Sequence, residues 1–156
     1  MKFPWVVGLL ALTACRPGAP RPIALAADEA LKAPSNVVYD AALATFTELG
    51  LALKSNDPDR GVLESEYFDV TQIHPEARDF PPAERSIRIR VLVGPDTAHG
   101  QGTRLGVQAI YSPFGDPNAG MTSRRSERAI PNGHPGMEIV KSLVDAVKQK
   151  TRGYER

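Results

Sequence analysis

Ser86-Ile87-Arg88-Ile89-Arg90-Val91-Leu92-Val93-Gly94 is the stretch whose reading decides the fold. Ile87, Ile89, Val91 and Val93 alternate with Arg88 and Arg90, the period of a strand with one buried face, and Gly94-Pro95-Asp96 breaks it. After a Gly-rich turn, Thr103 to Ser112 repeats the pattern. Leu105, Val107, Ala109 and Tyr111 lie on one side, and Arg104, Gly106 and Gln108 on the other. The two stretches predict an antiparallel pair with one apolar face. If helices cover that face, Arg88, Arg90 and Arg104 are expected together on an open, basic face.

Outward from this pair, Leu51-Ala52-Leu53 leads into an expected hairpin. Asn56 to Gly61 turns the chain, with Pro58 presetting φ, and Val62 to Val70 returns. Before it, a helix is expected from Ser35, read as the N-cap, to Gly50, read as the C′ residue. Val38, Ala42, Phe46 and Leu49 form its stripe and Leu43 widens it. A second helix is expected from near Pro135 to Lys150. Its stripe is Val140, Leu143, Val144 and Val147, with Lys148, Lys150 and Arg152 at the end where cations are favoured. Residues 71–85 read as a long connection with Phe80 plugging the core edge. Met121 to Ile130 reads as an edge strand in the otherwise irregular 113–136 stretch. The sum is an α+β two-layer sandwich, order α-β-β-β-β-α, with an antiparallel sheet of three to five strands and two helices on one face. It is expected as a single domain over residues 35–152.

The N-terminus has a different character. Lys2, an apolar run from Phe3 and the small residues before Cys15 are the parts of a secretory signal. Leu12-Thr13-Ala14-Cys15 resembles the bacterial lipobox, which implies cleavage after residue 14, a diacylglyceryl group on the Cys15 sulfur and acylation, typically palmitate, of its new amine. The run is too short to span a bilayer, which needs about 20 apolar residues. Pro17, Pro20, Pro22 and Pro34 mark residues 15–34 as a Pro/Ala-rich tether, with Ala26 to Lys32 able to coil into a turn or two of helix. Fully extended, such a tether reaches roughly 60 Å. In the lipoproteins of enteric bacteria an Asp after the cysteine retains the protein at the inner membrane. Arg16 stands there instead, which favours the outer membrane, facing the periplasm, in a source that has one.

Removing residues 1–14 takes Lys2 with them, so 18 Lys and Arg face 18 Asp and Glu. That balance argues against a nucleic-acid partner. With Cys15 acylated no thiol is left for a disulfide, a zinc-thiolate site or a nucleophile. His74, His99 and His134 are not paired at metal-ligand spacing. Gly100 to Gly106 leads into a strand rather than a helix and so does not form a phosphate loop. No catalytic residue, no metal site and no cofactor beyond the covalent lipid are expected. The residues with binding chemistry are Arg88, Arg90, Arg104, Arg124, Arg125 and Arg128, whose guanidiniums take carboxylate or phosphate in bidentate fashion.

From Ser35 to about Phe68 the chain resembles the BamC/NlpB family of outer-membrane lipoproteins, which have a helix-grip fold. The resemblance is carried by a helix, a short strand and Asn56-Asp57-Pro58-Asp59-Arg60-Gly61-Val62-Leu63-Glu64-Ser65, similar to that family's acidic turn and the strand after it. That family has two such domains, and this chain has room for one. The resemblance implies a non-enzymatic accessory role in outer-membrane assembly or maintenance, with an envelope protein as partner. Two other expectations compete with it: a carrier of anionic lipid or glycan through the arginine face, and an envelope enzyme assembled from His74, His134 and the long loops.

Overall fold

The computed structural model describes residues 22–98, 100, 102–113 and 127–154. Its elements in order are β1 (Ala27–Leu31), α1 (Ser35–Glu48), β2 (Leu53–Asp57), β3 (Val62–Ser65), β4 (Phe68–Asp69), α2 (Pro82–Arg85), β5 (Ser86–Pro95), β6 (Thr103–Tyr111), β7 (Arg128–Ala129) and α3 (Gly136–Thr151). Two 3-10 turns, Val70–Gln72 and Pro75–Asp79, fill the connection before α2. The fold is α+β, with α1 and α3 packed together against one face of an antiparallel sheet.

The sheet has seven strands in place of the three to five expected. Its main path is β1-β6-β5-β3-β2, with β4 added beside β5 and β7 beside β6. The β5–β6 hairpin is the spine, in register from Ile87↔Tyr111 to Pro95↔Thr103. It is longer than either neighbour, so two short strands share each of its flanks. β3 and β4 line β5, while β1 and β7 line β6. Two-residue strands are too short to show an alternation, which is why β4 escaped the sequence reading. β7 falls within the expected edge strand 121–130, of which residues 121–126 lie outside the described residues.

β1 is a correction. Residues 27–31, expected as tether with helical tendency, form a strand paired from Ala27↔Val107 to Leu31↔Thr103. Tertiary context overrides helix propensity here. Leu31 is buried in the core, Pro22 and Pro34 flank the strand without interrupting its ladder, and the edge of β6 needs a partner. The domain therefore begins before Ser35.

Both long helices lie where the stripes put them. Val38, Ala42 and Phe46 of α1 are buried, as are Ile139, Val140, Leu143, Val144 and Val147 of α3. They meet Leu63, Ile87, Ile89, Val91, Leu105, Val107 and Ala109 from the sheet. Ser35, however, is not the N-cap. Pro34 takes that place without a side-chain cap, and the Ser35 hydroxyl turns to Thr103 Oγ1 at 3.2 Å. The other end is as expected. Gly50 has φ +67°, its N–H donates to the Thr47 carbonyl, and the Leu51 N–H reaches back to Phe46 O at 2.9 Å. This pair of bonds is a Schellman closure.

Candidate functional site

The arginine face was the sequence-based candidate, and the structure corrects it. Strand alternation does turn Arg88 and Arg90 away from the helices, but Arg88 is 2% exposed. Its Nη1 pairs with Glu64 and its Nη2 with Glu127. Arg90 Nη2 approaches the same two carboxylates at 3.3 and 3.4 Å, and its Nη1 donates to Gln108 Oε1 at 3.2 Å. Gln108 Nε2 in turn donates to the Ile23 carbonyl at 2.7 Å. The Tyr67 ring lies under the Arg88 guanidinium, 5.0 Å from its centroid. Burial raises the Tyr67 phenol above its ordinary range, and the positive Arg88 acts the other way. Two cations and two anions form a charge-balanced cluster rather than a basic surface, with Arg88 Nε and the Tyr67 hydroxyl buried in it without a hydrogen bond among the described residues.

Arg104 is not part of this group. The register sets it opposite Gly94, far along β6 from Arg90's partner Gln108. Its guanidinium grips Asp28 of β1 with two hydrogen bonds, which lower the Asp28 carboxyl below the usual range. Arg128 is exposed on β7, opposite Tyr111. Arg124, Arg125 and Cys15 lie outside the described residues. The structure thus brings Arg88 and Arg90 together, separates Arg104 from them, and supplies each with an acid.

Sequence reasoning missed Glu127 and Tyr67, and it placed Gln108 on this face without giving it a role. The Glu64 link was legible, since β3 alternation puts Glu64 on the same face as Arg90, and the register pairs them directly. Glu127 comes from a distant part of the chain with no periodicity to place it.

The histidines of the assembled-site expectation are held apart. His74 faces Glu76 at 3.1 Å and Glu138 at 3.6 Å, in a depression of about 330 Å³ that Ile73, Leu49 and Ser142 help to line. His134 is buried, lies against Phe80 and does not line that depression. His99 lies outside the described residues. Among the described residues no group of three or more His, Cys, Asp or Glu is placed to hold a metal ion. No described helix is long and apolar enough to cross a membrane.

A groove of about 380 Å³ lies between the first turn of α1 and the β2–β3 turn. Ser35, Asn36, Tyr39 and Asp40 form one wall, Pro58 to Gly61 the other, and Val93 to Pro95 the floor. The turn is pinned by construction. Gly61 has φ +63°, and a Cβ there would sit 1.9 Å from Val93 O. The Val93 N–H donates to Gly61 O at 2.7 Å, and Asp57 Oδ1 accepts the Arg60 N–H at 3.1 Å. Tyr39 Oη donates to Asn56, closing the inner end of the wall. Burial raises the Tyr39 phenol, so it stays a neutral donor at physiological pH. The groove carries mixed polar chemistry: carboxylates, an amide and the exposed Arg60 around an apolar floor.

The chain matches no protein-family model and no curated protein.

Proposed function

We propose that this chain is a lipid-anchored binding module of the bacterial cell envelope, non-enzymatic, serving an envelope protein partner in outer-membrane assembly or maintenance. The observation that carries it is Leu12-Thr13-Ala14-Cys15 at the end of an apolar run, with a folded domain beginning soon after. Only residues 16–22 separate Cys15 from the first described contact, the Gln108 bond to Ile23. At about 3.3–3.6 Å per extended residue, this leash spans roughly 25 Å, less than half of the reach expected for a tether ending at residue 34. Such a module works close to the bilayer surface. Arg16 favours the outer membrane. The rigid turn and the groove between α1 and the β2–β3 connection are its best-formed recognition surface. The arginine-face carrier reading loses its support, because Arg88, Arg90 and Arg104 already hold Glu64, Glu127 and Asp28.

Metabolic labelling with an alkyne fatty acid tests the anchor. Wild type should incorporate label and sediment with membranes, and Cys15→Ser should do neither. Equal labelling of the two refutes it. A photo-crosslinking residue at position 59, on the groove rim, tests the site against the same probe at position 54 on β2. A discrete adduct from 59 and none from 54 supports the groove; the reverse result rejects it.

A further inference from the structure

His134 sits where α3, the Val70–Arg85 connection and the sheet meet, and it is 1% exposed. Its Nδ1 accepts the Gly136 N–H at 3.0 Å, in the first turn of α3. An accepting Nδ1 carries no proton, so the neutral ring holds its hydrogen on Nε2. That Nε2 is buried without a well-formed hydrogen bond, and the polar group it faces is the backbone of Glu84, at the end of the 70–85 segment. The ring packs edge-on against Phe80, centroids 4.7 Å apart and planes at 62°.

Phe80 belongs to a segment with mainly local ties of its own. Asp69 Oδ1 accepts from the Thr71 N–H and hydroxyl, and Arg85 donates to the Phe80 and Arg78 carbonyls. Val70 and Ala77 are its buried contributions to the core. Beyond these, the segment reaches the domain through the His134–Phe80 contact and through His74, which faces Glu138 of α3 at 3.6 Å.

We propose that His134 is an acid-released latch: protonating its ring frees Phe80 and the 70–85 segment, while the sheet and the two long helices stay folded. A proton added at Nδ1 turns an acceptor into a donor aimed at another donor, the Gly136 N–H. It also puts a cation at the positive end of a helix and in a site away from water. Burial holds His134 below its ordinary range, with Glu84 acting in the opposite direction. The other charged groups on the packed elements are engaged elsewhere. Arg85 is bonded to carbonyls of its own segment, and Glu138 of α3 faces His74. Ile87 and Ile130 bring only methyl groups to the Gly136 side of the ring.

Amide hydrogen exchange on the full chain, corrected for intrinsic rates, tests this between pH 7.5 and 5. Opening of 70–85 should rise up to tenfold per pH unit below about 6.5, the slope for uptake of one proton by a freed histidine. Amides of β5, β6 and α1 should keep their protection. His134→Gln, which retains an acceptor but does not titrate, should lose the response. Unchanged protection of 70–85 in wild type, loss of protection across the whole domain at once, or an unaltered response in His134→Gln each overturns the proposal. If His134→Gln fails to fold, NMR titration of the wild type decides. The His134 Cε1–H and the 70–85 amides must then titrate with one midpoint, and two different midpoints reject the latch.

Discussion

Arg88 and Glu127 form an ion pair in which the side chains are only 2% and 5% exposed, joining the central strand β5 to the residue just before β7. Removing one member of a buried pair leaves the other charged and desolvated, at a cost of about 3–5 kcal/mol. Glu127→Ala is expected to lower the unfolding free energy by about that much and the urea midpoint with it, because Glu64 alone cannot balance both Arg88 and Arg90. Replacing Arg88 by Met together with Glu127 by Leu should recover most of the loss, since no unpaired charge then remains. Equilibrium denaturation of the three variants checks both outcomes.

The place of β1 makes a second prediction. A chain beginning at Pro22 retains β1 and should unfold cooperatively. A chain beginning at Ser35 loses Leu31 and Ala33 from the core and leaves the edge of β6 unpaired. It is expected to aggregate or to melt at a markedly lower temperature. Circular dichroism melts and size-exclusion chromatography of the two distinguish them, and equal behaviour would show that β1 contributes nothing.

Two glycines with similar φ should respond differently to alanine. Gly50→Ala adds a methyl group to open space and carries only the left-handed penalty, about 1–2 kcal/mol. Gly61→Ala carries the same penalty and also drives a methyl group into Val93 O, so the β2–β3 turn must move. Its loss of stability should be clearly the larger, and any partner binding at the groove should fall with it. Thermal unfolding of the two side by side gives the comparison.

The Asp28–Arg104 pair sets a pH dependence. Asp28 is held below the ordinary carboxylate range, chiefly by the hydrogen bonds from Arg104. The stabilisation is present above the unfolded value and is lost as pH falls through the lower folded one, so stability changes with pH on its account only in acid, below about pH 4. Arg104→Gln should move the Asp28 titration up toward the ordinary carboxylate range in an NMR carboxyl titration. Stability at pH 7 should change little, because the pair is solvated.

Thr103 ties two elements by one hydroxyl. It is fully buried, donates to Ala33 O at 2.7 Å and so receives the Ser35 hydroxyl. Thr103→Val keeps the shape and leaves the Ala33 carbonyl without that donor, which should cost about 1–3 kcal/mol in chemical denaturation.

The elements legible in the sequence were those with enough residues to display a period. Ile87 to Val93, Leu105 to Tyr111 and the two helical stripes each show an alternation or a 3.6-residue repeat over several turns. Gly50 and Gly61 mark their turns because only glycine suits those backbones. β1 was hidden because Ala27-Asp28-Glu29-Ala30-Leu31 is short, favours helix on its own and becomes a strand only through β6. The arginine face was misread for a related reason. Alternation says which side of a sheet a residue takes, but not what lies over it. Glu127 and Tyr67 cover Arg88 from outside the regular strands, where no period extends.

On the proposed lipid anchor at Cys15, β1 acquires a mechanical meaning. A tug on that anchor would enter the domain at Ile23 and Ala26, which are bonded to Gln108 and Val107, and would pass along β1 before it reached α1. Tension directed along the strand loads the backbone bonds to β6 together, in shear, and tension across it peels them one after another. The Lys148–Glu29 and Arg104–Asp28 pairs are side rivets on the same strand. Five residues that read as slack are thus the first strand of the fold to bear strain.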